Sequence, residues 1–213
     1  PQSQPEVGAE KMHPFIRFVV EKKNTLIAVA VAALVIFAGV FGYSAWQKSA
    51  MRKATAELGQ IAVKDADEAK LKALLDFYEG APAELQTRTL LEAASVSLEL
   101  KDYAKAAELW EKLQSADEGD MAVIAALGRA KALGLDGKHD QALSVLNGIK
   151  DNVPESYALS VYRALAQQAE EAEQWDMALM AYEQLLLLES DTEKSYIENK
   201  IARISILAED NGS

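Results

Sequence analysis

Two hydrophobic regimes divide the chain. From Asn24 to Gln47, NTLIAVAVAALVIFAGVFGYSAWQ, no side chain is charged, whereas downstream the apolar residues alternate with charged ones at helical spacing. The first regime predicts a helix without a polar face. At 1.5 Å per residue it reaches ~36 Å, enough for the ~30 Å hydrocarbon core of a bilayer. Lys22 and Lys23 flank one end, Lys48, Arg52 and Lys53 the other, and Tyr43 and Trp46 fall where an interfacial aromatic belt sits. The apolar run also exceeds the ~7–15 residues of a cleavable signal core. Residues 24–47 are therefore expected to be a transmembrane anchor in contact with lipid. Ala38 and Gly42, one turn apart, are the candidates for a small-residue contact with another membrane helix, the alternative being an incidental pair in an alanine-rich span.

Residues 1–23 are expected to be a cytoplasmic segment. Its start, PQSQPEVGAE, has the composition of a disordered tail, and HPFIRFVVEKK reads as a short amphipathic lead-in with Pro14 at a helix start. Lys11, Arg17, Lys22 and Lys23 ahead of the span outnumber Lys48, Arg52 and Lys53 behind it by one, a slight vote for a cytoplasmic N-terminus. The chain starts at Pro1 without Met, leaving room for residues ahead of it.

Residues 48–80 read as a helical stalk. Ala54, Leu58, Ile61 and Ala62 share one side of a continuing helix. Asp65 or Asp67 then caps a second helix through Tyr78, which Gly80–Ala81–Pro82 ends. Leu71, Leu74, Leu75 and Tyr78 are expected to face the helices downstream of Pro82.

From residue 81 to 213 the pattern repeats. KDYAKAAELWEKL from Lys101, GKHDQALSVLNGI from Gly137 and EQWDMALMAYEQL from Glu173 superpose at a spacing of 36. Tyr103, His139 and Trp175 align, as do Ala106, Ala142 and Ala178, then Trp110, Leu146 and Tyr182, then Leu113, Ile149 and Leu185. This spacing of large, small and large positions lies on one face of a helix. Upstream, Ala94, Ala130, Ala166 and Ala202 form another column. Turn signals fall at Lys101–Asp102, Asp136–Gly137, SADEGD and KDNVPES. The prediction is three 36-residue helix pairs plus a closing helix from Lys194 to Ala208. Such stacking buries a continuous core that no pair buries alone.

Charge changes the picture of partners. Residues 1–49 carry five basic and three acidic side chains, and the remainder 17 basic and 30 acidic. An acidic domain repels phosphate backbones, so nucleic acid is not an expected partner. Without cysteine there is no disulfide, thiolate nucleophile or Cys-based zinc site. His139 stands beside Asp140, yet its column is shared with Tyr103 and Trp175, so it reads as a packing residue. Asp117, Glu118 and Asp120 lack calcium-loop spacing, and Glu170, Glu171 and Glu173 read as a solvated acidic face. No GxxxxGK[ST], HExxH or GxSxG pattern occurs. Neither catalysis nor a cofactor or metal is expected.

The columns resemble the tetratricopeptide repeat. Ala94, Ala130 and Ala166 match its first small position, Tyr103, His139 and Trp175 its aromatic near the turn, and Ala106, Ala142 and Ala178 its second small one. Pro154 matches the proline that often ends a unit. The period departs from the usual ~34, and the early Trp position reads Leu90, Ala126 and Tyr162. The fold class is thus all-α, a membrane helix and stalk leading into a tetratricopeptide-like solenoid. Repeat geometry places Arg88, Leu91, Ser95, Ile124, Leu127, Lys131, Arg163 and Gln167 on a concave, partner-binding face. The alternative for several of them is packing against the neighbouring unit.

Taken whole, the chain resembles the YfgM family of bacterial inner-membrane proteins. The resemblance rests on the lead-in RFVVEKKN, the single span, the stalk and the acidic repeats in that order. It implies a cytoplasmic N-terminus, a periplasmic repeat domain, and association with the SecYEG translocon and the chaperone PpiD in handling exported proteins. The rival expectation is a scaffold or accessory subunit of another inner-membrane complex, respiratory or secretory.

Overall fold

A computed structural model describes residues 22–116, 119–189 and 191–211. The lead-in with Pro14, the tail before it and the acidic pair Asp117–Glu118 lie outside the described residues. Every regular element among the described residues is helical: α1 Lys23–Ala62, α2 Glu68–Gly80, α3 Ala83–Glu99, α4 Tyr103–Ala116, α5 Asp120–Leu135, α6 His139–Ile149, α7 Glu155–Glu171, α8 Trp175–Leu188 and α9 Asp191–Asn211. The chain divides into two compact units, the first ending at Lys53 and the second beginning at Ala54.

The first unit contains most of α1. Among the described residues its large apolar side chains are exposed: Phe37, Phe41 and Trp46 are about two-thirds exposed. The rings meet within the helix, with Phe37 and Phe41 centroids 5.5 Å apart and Tyr43 and Trp46 centroids 6.1 Å apart. Ala38 and Gly42 are exposed on this helix.

The second unit starts with the last turns of α1, which bury Leu58 and Ile61. Asp67 caps α2 by accepting the Lys70 backbone N–H at 2.6 Å, so of the two sequence-predicted caps it is Asp67 that acts. Leu74 of α2 is fully buried. From α2 to α9 each helix packs on its successor, and α5 additionally meets α7.

Helices α3–α4, α5–α6 and α7–α8 form three hairpins closed by one recurring turn. Lys101, Gly137 and Glu173 each adopt left-handed backbone geometry, with φ of 62°, 73° and 54°. In each turn the next N–H donates back across the helix end: Asp102 to Ser97 O at 2.9 Å, Lys138 to Leu133 O at 2.8 Å and Gln174 to Ala169 O at 2.9 Å. That six-residue closure is the Schellman arrangement, which satisfies carbonyls the helix end leaves without partners. Tyr103, His139 and Trp175 then open the second helix of each pair. Between the helices Ala94, Ala130, Ala166, Ala106, Ala142 and Ala178 are all buried, the small side chains permitting close approach of the backbones.

The fourth member of the alanine column departs from this pattern. Ala202 of α9 is exposed, and Ile197 and Ile204 are buried instead. Helix α9 packs chiefly on α8, and Ile197 and Ile204 fill the seam that an alanine serves elsewhere.

Candidate functional site

The contact between α5 and α7 is made possible by a glycine. A Cβ on Gly134 would overlap the Gln168 side-chain amide, so the absence of a side chain lets α7 approach. Gln168 is buried, and its Oε1 lies 3.0 Å from His139 Nδ1. With the amide oxygen as acceptor, Nδ1 is the donor. His139 is half-buried beside the turn, bonded across to the following hairpin, which gives its column a polar tie where Tyr103 and Trp175 have rings.

Above this floor runs a groove of about 730 Å³. Leu127, Lys131 and Leu135 of α5 line one side, and Ser160, Arg163 and Gln167 of α7 the other. The structure therefore brings together Leu127, Lys131, Arg163 and Gln167 from the expected concave face. Arg88, Leu91 and Ser95 lie on α3 and Ile124 near the start of α5, outside this groove. Lys131 is exposed and makes no ion pair or hydrogen bond among the described residues. Arg163 differs: its guanidinium is held by Glu189 and, at 3.0 Å, by Glu193. Of the two basic side chains in the groove, one is open and one is occupied.

Beyond Arg163 lies a smaller cavity of about 270 Å³ shared with α9. Its hub is Glu170, which corrects the expectation of a solvated face: its side chain is only 17 % exposed, whereas Glu171 and Glu173 are exposed. The Glu170 carboxylate accepts from the Tyr182 hydroxyl, from Lys200 at 2.8 Å to each oxygen, and from Arg203 at 2.9 Å. Burial alone would push this carboxyl up, but the hydrogen bonds from Lys200 and Tyr182, with the charges of Lys200 and Arg203, outweigh it and hold it below the usual carboxylate range. The same pairing acts oppositely on the phenol, where burial first and then Glu170 push Tyr182 upward. The Lys200 ammonium also lies 5.7 Å from the Tyr182 ring centroid and 5.9 Å from that of Tyr196.

A second glycine contact joins α4 and α5. A Cβ on Gly128 would overlap the Trp110 indole, so Gly128 is where α5 receives the ring of α4. A Leu–Gly step inside an otherwise helical pattern was its only sequence signal.

The sequence matches the tetratricopeptide repeat-like domain family over residues 17–205. The chain belongs to that family. No curated protein and no solved structure matches it. Tetratricopeptide repeat-like domains mediate protein–protein interaction, and proteins are the partners this one is built for. Ahead of the repeat-like hairpins, α1 is long and apolar enough to cross a membrane or to serve as a signal sequence.

Proposed function

We propose that this repeat-like protein is a single-pass accessory component of the bacterial inner membrane. In this reading α1 spans the bilayer through residues 24–47, the N-terminus is cytoplasmic, and the repeat domain lies in the periplasm. There it engages the SecYEG translocon and a PpiD-like chaperone in handling exported proteins. It works by binding, without catalysis and without a cofactor. The observation that carries the binding role is the α5–α7 groove, where Leu127 and Leu135 offer apolar surface beside Lys131, unpartnered among the described residues. A mixed apolar and basic lining suits an extended segment or an amphipathic helix, while the acidic exterior maintains solubility.

Copurification of the full chain in mild detergent tests the assignment. Recovery of translocon and chaperone subunits is the expected result; recovery of a different defined complex would replace it with a scaffold role there. Topology is tested separately, using the absence of cysteine from the chain. A single Ser160→Cys substitution should be labelled by a membrane-impermeant maleimide from the periplasmic side of spheroplasts, and labelling only after lysis would reverse the orientation.

A further inference from the structure

Arg163 stands at the boundary of the two cavities and lines both. Glu189, immediately after α8, and Glu193, in the first turn of α9, hold its guanidinium, yet the Arg163 side chain remains 56 % exposed. The guanidinium is therefore open to the groove, although the Glu189 side chain that holds it is only 8 % exposed, so an incoming carboxylate can reach Arg163 while the internal pair is still made. Among the described residues its counterpart across the groove, Lys131, is unpaired, and Glu171 is the one carboxylate lining the groove. In a chain of net charge −11, the groove lining carries a basic group on each facing helix, Lys131 and Arg163, against Glu171.

We propose that Glu189 and Glu193 are internal competitors for the groove. They occupy Arg163 until a partner segment carrying carboxylates and apolar side chains enters and takes the guanidinium from them. The proposal rests on the groove being the partner-binding surface. Leu127 and Leu135 receive the apolar side chains, while Lys131 and Arg163 select acidic ones. A guanidinium exchanges one carboxylate partner for another without loss of its forked geometry; Glu193 is already half-exposed, and Glu189, 8 % exposed, must move outward with the start of α9 when it is released. The coupling is reciprocal: loosening the internal carboxylates strengthens binding, and binding loosens the start of α9. The rest of α9 stays seated through Ile197, Ile204 and the Glu170 bonds to Lys200 and Arg203, which confines release to its first turns.

The test uses the full chain in mild detergent and a fluorescein-labelled peptide of alternating Leu and Glu, with a Leu–Gln peptide as the uncharged control. E189Q/E193Q should bind the acidic peptide roughly 5- to 20-fold more tightly than the wild type. Adding R163Q should erase that gain, and the control peptide should show none. In the wild type, saturating acidic peptide should accelerate amide exchange in the first turns of α9. Unchanged affinity in E189Q/E193Q, with K131Q still weakening binding, overturns the competition and leaves the groove reading in place. If K131Q and R163Q both leave affinity unchanged, or the acidic peptide does not bind, the groove reading falls and the competition with it. Should E189Q/E193Q fold poorly, wild-type exchange decides: bound peptide with undiminished protection of α9 overturns the proposal.

Discussion

The Lys70 ammonium lies 2.8 Å from the Ala62 carbonyl oxygen and 2.8 Å from Glu92 Oε1. Its side chain is only 7 % exposed, so a single cation closes the C-terminal end of α1, rises from α2 and neutralises a carboxylate of α3. Removing Lys70 leaves the Ala62 carbonyl and the partly exposed Glu92 carboxylate without their cation. Lys70→Met is therefore expected to lose about 2–3 kcal/mol of stability. Glu92→Gln should lose less, about 1 kcal/mol, because the carbonyl bond survives. Thermal unfolding of the full chain in detergent, followed by far-UV circular dichroism, checks the order; equal losses would mean that the ion pair alone matters.

The three hairpin turns predict opposite effects for the same residue type. Gly137 meets the left-handed geometry without strain, while Lys101 and Glu173 hold it with a Cβ present. Lys101→Gly and Glu173→Gly should each stabilise by about 0.5–1 kcal/mol, and Gly137→Ala should destabilise by about 1 kcal/mol. The same melting experiment reads all three, and a destabilising Glu173→Gly would show that the side chain contributes more than the backbone costs.

Gly128 predicts a clash with a known rescuer. Gly128→Ala places a methyl into the Trp110 ring and should cost about 1–3 kcal/mol. In a Trp110→Leu background the added methyl should cost much less. A double-mutant cycle measures the coupling, and additive losses would place the strain elsewhere.

The Glu170 hub predicts a pH dependence with a definite sign. Its carboxyl is depressed in the folded chain relative to an ordinary glutamate, so it binds protons more weakly folded than unfolded. The stability it confers is fully present above the ordinary carboxylate range and is lost as pH falls through the depressed folded value. Protection of α9 against amide exchange should accordingly hold from neutral pH down to that range and decline below it. Glu170→Gln should show reduced protection already at neutral pH and a flatter acid profile. A parallel decline in variant and wild type would assign the acid sensitivity to other groups.

Much of this architecture is written in local spacing. The Tyr103, His139 and Trp175 column marked where each second helix opens, because the large residue beside a turn must cover the hairpin end. The Ala94, Ala130 and Ala166 column located the close approaches. Helix-period patterning carries such information since neighbours three or four apart share a face. The site was legible only in part. Leu127, Lys131, Arg163 and Gln167 follow from position along the first helices of the pairs, but the clasp of Arg163 by Glu189 and Glu193 joins side chains 26 and 30 positions apart. Nothing in local patterning signals which of many acidic residues will reach across. The same holds for Glu170, indistinguishable in sequence from Glu171 and Glu173, and for Gly134, whose role exists only once Gln168 is packed on it. Ala202 departs for a different reason: among the described residues α9 packs chiefly on α8, and that contact is made through Ile197 and Ile204.

The identical closure at Lys101, Gly137 and Glu173 gives the chain a natural unit of growth. A hairpin excised or duplicated between equivalent turns would rejoin in phase, leaving the Asp67-capped entry and the isoleucine-faced exit as they are. Reach along the groove can thus change in whole quanta, a length variable that evolution or an engineer can set without redesigning either terminus.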